Sequence, residues 1–124
     1  MTRKKTNYMT QATVLHSKVV RERDGRCLAV GAYDVDCSGV LQCAHIFGRG
    51  ELSIRTLEDN AVTLCAAHHR YFTGRPAAWE MWVRGSMPGR WERLRGLVHA
   101  WYEAGCPKVD WQAERDRLKA KVAA

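Results

Sequence analysis

Residues 40–74 read VLQCAHIFGRGELSIRTLEDNAVTLCAAHHRYFTG, and the order of apolar runs and turn formers in this stretch decides the expected fold. Residues 40–46 and 60–64 are short apolar runs, which are typical of two β-strands. Residues 65–72 follow with the pattern of a helix, and Gly74 is placed to end it. Two strands followed directly by a helix predict a small α+β unit.

The segments on both sides of this stretch are predicted to be mainly helical. Residues 11–23 carry apolar side chains at helical spacing, with Leu15 and Val19 on the face expected to be buried. Residues 26–39 are rich in turn formers and are expected to form a loop. Three further helices are expected, over residues 76–83, over residues 90–104 and from Asp110 onward.

The chain has 124 residues, a length that suits one domain. We expect a flexible basic arm at residues 1–10 and a single domain over residues 11–124. Within that domain, the core is expected at about residues 24–74 and a helical C-terminal part at about residues 75–124.

The formal net charge is +7, and a basic balance of this size favours a polyanionic partner such as DNA. No apolar run approaches the ~20 residues of a membrane span, and the N-terminus lacks the apolar core of a secretory signal. We therefore expect a cytoplasmic protein without membrane contact. In that reducing compartment, five cysteines indicate metal ligands or free thiols rather than disulfides.

A structural zinc site is predicted from the cysteine spacing. Cys65 and His68 are separated by two residues at the start of a helix, so both can reach one ion. Cys27 and Cys37 could supply the other two ligands, although their separation is wider than usual, and Cys43 competes with Cys37 for this role. The prediction is a closed Cys3His site for Zn²⁺.

Three other polar residues are candidates for chemistry. His45 ends the first predicted strand, Asn60 begins the second, and His69 follows a zinc ligand on the helix. Adjacent helical residues diverge by about 100°, so His69 is free to face a cleft when His68 faces zinc. A neutral imidazole there can hold a divalent cation, and His45 can accept a proton from water. Asn60 can orient that base. His16, His99 and Cys106 are expected to have no chemical role.

The segments QCAHI, EDNAVTLC and CAAHHRYFTG resemble the three segments of the HNH endonucleases, the His-Asn-His branch of the His-Me finger, or ββα-metal, nucleases. The resemblance is greatest to small bacteriophage proteins similar to the NinG/Rap recombination endonucleases, and it covers residues 23–74. It implies a ββα-metal core with a structural zinc, flanked by an N-terminal helix and a helical C-terminal half.

The resemblance also assigns roles to residues. It implies His45 as general base, Asn60 as the middle asparagine and His69 as ligand of a catalytic Mg²⁺ or Mn²⁺ ion. It places Arg49 and Arg55 near a substrate phosphate. The zinc ligands that it implies are Cys27, Cys37, Cys65 and His68, the last standing where the family usually has cysteine.

The chain departs from the family at the position before the general base. Many members have Asp or His there as a ligand of the catalytic metal, whereas this chain has Ala44. His69 is then the one evident protein ligand, and Asp59 or Glu58 are candidates for a second.

We therefore expect a metal-dependent endonuclease that hydrolyses phosphodiester bonds of DNA, acting in the cytoplasm of a bacterial host if a phage encodes it. The competing expectation is a zinc-stapled nucleic-acid-binding module without catalysis. An enzyme that resolves four-way junctions would need two active sites, and hence a homodimer.

Overall fold

The computed structural model describes residues 7–123. It is an α+β structure with five α-helices and one two-stranded antiparallel sheet within those residues. The elements are α1 (Tyr8–Asp24), β1 (Leu41–His45), β2 (Ala61–Cys65), α2 (Ala66–Thr73), α3 (Pro76–Ser86), α4 (Arg90–Glu103) and α5 (Trp111–Ala123), with single 3-10 turns at Ala32–Asp34, Leu52–Ile54 and Glu58–Asn60.

The hairpin of β1 and β2 and the helix after it follow the order predicted for residues 40–74. Leu41 pairs with Cys65 and His45 pairs with Ala61, so the chain reverses through the long connection between the strands. Every residue of β2 is buried, because packed elements cover both of its faces. β2 is thus the centre of the molecule, and α2 begins where it ends.

The first helix begins earlier than predicted. The Oδ1 atom of Asn7 accepts a hydrogen bond from the Thr10 backbone N–H and caps α1, so residues 8–10 are helical and do not belong to a flexible arm. The remainder of the predicted arm, residues 1–6, lies outside the described residues. Gly25 ends α1 with a φ of 68°, a conformation that glycine adopts without steric cost.

The buried face of α1 also differs from the prediction. Its buried residues are Ala12, Thr13, His16 and Val20, whereas Leu15 and Val19 are only partly buried. The reason is that α1 has two neighbours: one face packs on the hairpin, and α5 packs along its flank. The spacing of apolar residues alone does not predict that a polar histidine, His16, lies on the inner face.

The C-terminal helices complete the core on the other side of the hairpin. Val83 of α3 and Leu94 of α4 are fully buried and join a cluster with Phe72 of α2. Trp79 and Trp82 stack on each other and pack against Phe72 in tilted contacts, so they add aromatic surface to this part of the core.

Helix α5 is fixed by polar contacts as well as by buried Leu118. Arg117 makes an ion pair with Glu58 at 2.9 Å, and Glu114 accepts a hydrogen bond from the Thr56 hydroxyl at 2.7 Å. No helix among the described residues has the length and apolar character that a membrane span requires.

Candidate functional site

Four side chains form a metal-ligand cluster between the loop after α1 and the start of α2. One ligand atom from each of Cys27, Cys37, Cys65 and His68 lies within 4.8 Å of the others. The Nδ1 atom of His68 lies 3.7, 3.6 and 3.2 Å from the Sγ atoms of the three cysteines in that order. A tetrahedral zinc ion with ordinary bond lengths separates sulfur and nitrogen ligands by about 3.6 Å. The cluster therefore fits a structural zinc ion.

Local structure orients these ligands. Cys65 ends β2 and caps α2, where its Sγ accepts a hydrogen bond from the His68 backbone N–H. The Nε2–H of His68 donates to the Ala32 carbonyl at 3.3 Å, so its Nδ1 lone pair faces the sulfur atoms. Burial raises the pKa of the Cys65 thiol, but hydrogen bonds, first of all the one from the His68 backbone N–H, outweigh it and lower that pKa to about 6. A thiolate, the form that binds zinc, is thus favoured at neutral pH.

The cluster includes Cys37 and not Cys43. The nine residues between Cys27 and Cys37 fold back through the turn Ala32–Asp34, which brings the two thiols together despite their wide separation in sequence. Cys43 lies on β1, in a different group of side chains.

His45 is the last residue of β1, and its ring is held by a backbone carbonyl. The Nε2 atom of His45 lies 3.0 Å from the Arg55 carbonyl oxygen. Because a carbonyl oxygen only accepts hydrogen bonds, Nε2 carries the proton and Nδ1 keeps its lone pair. Burial lowers the pKa of His45 to about 4, with the neighbouring His16 ring as the next cause. His45 is therefore neutral at pH 7, as a general base must be.

His69 lies on α2 next to a member of the cysteine cluster, but its side chain points elsewhere. Its Nδ1 atom lies 2.8 Å from the Gln42 Oε1 atom. The amide oxygen accepts the Nδ1–H, which leaves the Nε2 lone pair of His69 free for a cation. Gln42 was not among the residues singled out from the sequence.

His45 and His69 both line one cleft. The cleft has a volume of about 250 Å³ and is open to solvent. The indole N–H of Trp79 donates to the Ile46 carbonyl at 3.2 Å and fixes one wall. The other lining residues include Ala44, Gly48, Leu64, Phe72, Thr73 and Pro76.

Asn60 is fully buried and acts on the loop that follows His45. Its Oδ1 accepts from the Phe47 backbone N–H at 2.8 Å, and its Nδ2 donates to the carbonyls of Phe47 and Ile54 at 3.0 and 3.1 Å. These three bonds join Phe47 and Ile54, the two ends of one loop. The residue after that loop, Arg55, accepts the hydrogen bond from His45 through its carbonyl. Asn60 therefore acts on the position of His45 through the backbone, and its side chain does not hydrogen-bond to His45.

The two carboxylates considered as second metal ligands are engaged elsewhere. Asp59 pairs with Arg93 at 3.0 Å, and Glu58 pairs with Arg117 and Lys121. Among the described residues, His69 belongs to no group of three or more metal-ligating side chains. A cation at His69 thus has one evident protein ligand.

Arg49 and Arg55 lie together in a polar depression beside α1, and the structure adds Arg21 to them. The depression has a volume of about 390 Å³ and is also lined by hydroxyl groups of Thr10, Thr13 and Ser17. The guanidinium of Arg55 donates to the Thr13 hydroxyl at 3.0 Å and to the Arg49 carbonyl at 3.2 Å. Arg55 thus accepts a hydrogen bond from His45 through its backbone carbonyl, and its side chain lines this depression, called the basic depression below.

Comparisons of this chain with protein-family models, with curated proteins and with solved structures found no match.

Proposed function

We propose that this chain is a metal-dependent endonuclease of the HNH type, with a ββα-metal core, that hydrolyses phosphodiester bonds of DNA. The observation that carries the proposal is that His45, at the end of β1, and His69, on α2, line the same cleft. Each imidazole has one nitrogen anchored by a hydrogen bond, so each presents a lone pair from the other. One lone pair accepts a proton, and the other holds a cation.

In the proposed reaction, His45 Nδ1 removes a proton from a water molecule, whose oxygen attacks the phosphorus atom. The new P–O bond forms as the bond to the 3′ oxygen breaks, leaving a 5′-phosphate and a 3′-hydroxyl that takes its proton from solvent. His69 would hold a Mg²⁺ or Mn²⁺ ion, with water and phosphate oxygens as the other ligands. When bound, that ion supplies charge stabilisation at the leaving oxygen.

The cysteine cluster has a structural part in this proposal. Zn²⁺ bound by Cys27, Cys37, Cys65 and His68 fixes the start of α2 to the loop after α1. Because His69 follows His68 directly, that attachment also sets the position of the cation ligand. The zinc ion itself would take no part in the chemistry, since its four protein ligands leave no open position.

The proposed partner is the DNA backbone. The basic depression lies beside the His45 anchor, and guanidinium groups bind phosphate oxygens through charge-assisted hydrogen bonds. Contacts of this kind carry no base sequence information, so recognition by backbone and DNA shape is expected.

A second candidate function is nucleic-acid binding without catalysis. Ala44 and the engagement of Asp59 and Glu58 by arginines favour it, because a cation with one protein ligand is weakly held. Both candidates share the zinc cluster and the basic depression, so a cleavage assay distinguishes them.

The test is nicking of supercoiled plasmid by the zinc-loaded protein with Mg²⁺, with Mn²⁺ and with neither ion. The proposal expects nicked or linear product only with added Mg²⁺ or Mn²⁺. Linear, nicked and four-way-junction substrates, compared in parallel, identify the preferred DNA form. DNA binding without product under every metal condition would support the binding module and refute the nuclease.

A further inference from the structure

His16, Cys43 and His45 form a second cluster of ligand side chains, separate from the cysteine cluster. One ligand atom from each lies within 4.8 Å of the other two. Cys43 and His45 lie two residues apart on β1 and share the strand face that packs on α1. His16 comes from α1, and its ring centroid lies 5.2 Å from that of His45.

His16 is fully buried, yet one of its ring nitrogens has no partner. Its Nε2–H donates to the Leu57 carbonyl at 2.9 Å, so Nδ1 carries a lone pair. That Nδ1 atom is buried and has no hydrogen-bond partner. A buried polar atom without a partner loses its hydration without compensation, and such atoms often mark a bound ion or water. Because the Leu57 carbonyl takes Nε2, Nδ1 is the His16 atom with a lone pair to offer the cluster, which points to a ligand there.

We propose that His16, Cys43 and His45 form a second metal site, which takes a thiophilic divalent cation such as Zn²⁺. One sulfur and two imidazole nitrogens suit Zn²⁺ or Co²⁺ and are unsuited to Mg²⁺, which prefers oxygen ligands. Three protein ligands leave the fourth tetrahedral position open to water, unlike the closed Cys3His cluster.

The surroundings of this site set its affinity. Arg21, Arg23 and Arg49 act electrostatically on Cys43, and Arg49 and Arg55 act on His45. Asp24 is the acidic group that acts on Cys43, and it is paired with Arg23. A cation at this site is therefore repelled by the neighbouring arginines. It also has to displace the thiol proton of Cys43. We expect this site to bind Zn²⁺ more weakly than the Cys3His cluster and to fill after it.

Occupation of this site has a consequence that rests on the proposed function. The cation uses a lone pair of His45, and His45 can then no longer accept a proton from water. Excess Zn²⁺ is thus an inhibitor that acts at the general base, although zinc at the Cys3His cluster is needed for the fold.

The direct test is titration of the zinc-loaded protein with Co²⁺, followed by the absorption bands of tetrahedral thiolate-bound cobalt. The wild type is expected to bind one further equivalent of Co²⁺ while retaining its structural zinc, and excess Mg²⁺ should not compete. Cys43→Ser should lose these bands, and Cys106→Ser, which removes an exposed thiol elsewhere, should keep them. His16→Gln serves as a second variant and should weaken Co²⁺ binding.

Two results would overturn the proposal: no further Co²⁺ bound by the wild type, or unchanged cobalt bands in Cys43→Ser. This measurement does not depend on cleavage, so it stands if the nuclease proposal fails. If the protein cleaves DNA, the Zn²⁺ concentration that halves the rate should rise at least about tenfold in Cys43→Ser, because losing a ligand weakens a site at least as much as losing an outer-shell partner. Equal inhibition of Cys43→Ser and Cys106→Ser would refute the inhibitory role.

Discussion

Gln42 sets the orientation of the His69 ring at the cleft. Its amide oxygen holds the Nδ1–H of His69 at 2.8 Å, which fixes both the tautomer and the ring orientation. Outer partners of metal-binding histidines typically contribute 10–100-fold to metal affinity. We therefore predict that Gln42→Ala raises the Mg²⁺ or Mn²⁺ concentration needed for half-maximal cleavage by roughly 10–100-fold.

Excess metal should restore much of the rate of Gln42→Ala, whereas a variant that is merely less stable would not respond to metal. Gln42→Glu keeps an oxygen acceptor and should stay close to the wild type. Gln112→Ala, an exposed change on α5, is the matched control. A Gln42→Ala variant with an unchanged metal requirement would show that Gln42 does not position His69.

At the scale of single residues, spacing in the sequence singled out His45, Asn60 and His69. His45 and His69 line one cleft, and Asn60 holds the loop after His45. Spacing missed Gln42 because glutamine on a strand carries no distinctive signal of its own. Strand alternation places Gln42 on the same face as Ala44, which lines the cleft, and that was the available clue. His16 was missed because its partners are distant in sequence.

At the scale of secondary-structure elements, the cysteine cluster links segments that are distant in sequence. It joins the loop after α1 to the end of β2 and the start of α2, in a chain with a small core. Binding of an ion only to the folded state adds about 4 kcal/mol when free zinc exceeds its dissociation constant ~1,000-fold. Removal of zinc by a chelator should therefore lower the free energy of unfolding by about this amount, as measured by urea denaturation.

Cys65→Ser should reproduce the effect of chelation, because it removes a thiolate ligand while the serine hydroxyl can still cap α2. Cys106→Ser should leave zinc content and stability unchanged. Equal stability with and without zinc would contradict the structural role of the cluster.

Helix α5 is attached to the hairpin through Glu58, whose side chain is 17% exposed. Burial raises the pKa of Glu58, but hydrogen bonds from Lys121 and Arg117 outweigh it, so the pKa lies below its usual value of 4.5. A lowered folded-state pKa stabilises the fold fully above the unfolded-state pKa and less as pH falls through the folded-state pKa. Glu58→Gln should therefore cost about 1 kcal/mol at pH 7.

The stability difference between wild type and Glu58→Gln should shrink as the pH falls below about 4.5. Denaturant unfolding of zinc-saturated protein over this pH range measures the difference. Glu80→Gln, which alters an exposed pair with Arg84, should show little effect at any pH. A Glu58→Gln difference that does not depend on pH would contradict the ion-pair account.

Element order was predictable because β-strands and helices differ in the period of their apolar residues. The prediction gave the order of β1, β2 and α2 and the approximate start of each C-terminal helix. It misplaced the start of α1, where the polar cap Asn7 lies outside the apolar pattern. It also misjudged the inner face of α1, since the position of α5 is a tertiary feature.

At the scale of the whole molecule, part of the net charge of +7 is concentrated at one surface. Arg21, Arg49 and Arg55 line one depression beside the His45 anchor. Each phosphate contact contributes about one unit to the slope of log affinity against log salt concentration. Arg21→Gln should reduce that slope for duplex DNA by about one and weaken binding to all sequences alike.

Binding is measured without Mg²⁺ or Mn²⁺, so that no cleavage is expected, and without chelator, so that zinc is retained. Arg95→Gln, an exposed change on α4, removes the same charge from another surface and should leave the slope nearly unchanged. Equal slopes for Arg21→Gln and the wild type would exclude the depression from the DNA interface.

The role of His45 as general base is decided by the single-turnover nicking rate of His45→Ala, measured beside His99→Ala, which changes an exposed histidine on α4. We expect His45→Ala to lose roughly 10²–10⁴-fold in rate or to fall below detection, while its zinc content and DNA affinity remain those of the wild type. His99→Ala should cleave at the wild-type rate. Wild-type cleavage by His45→Ala would contradict the account.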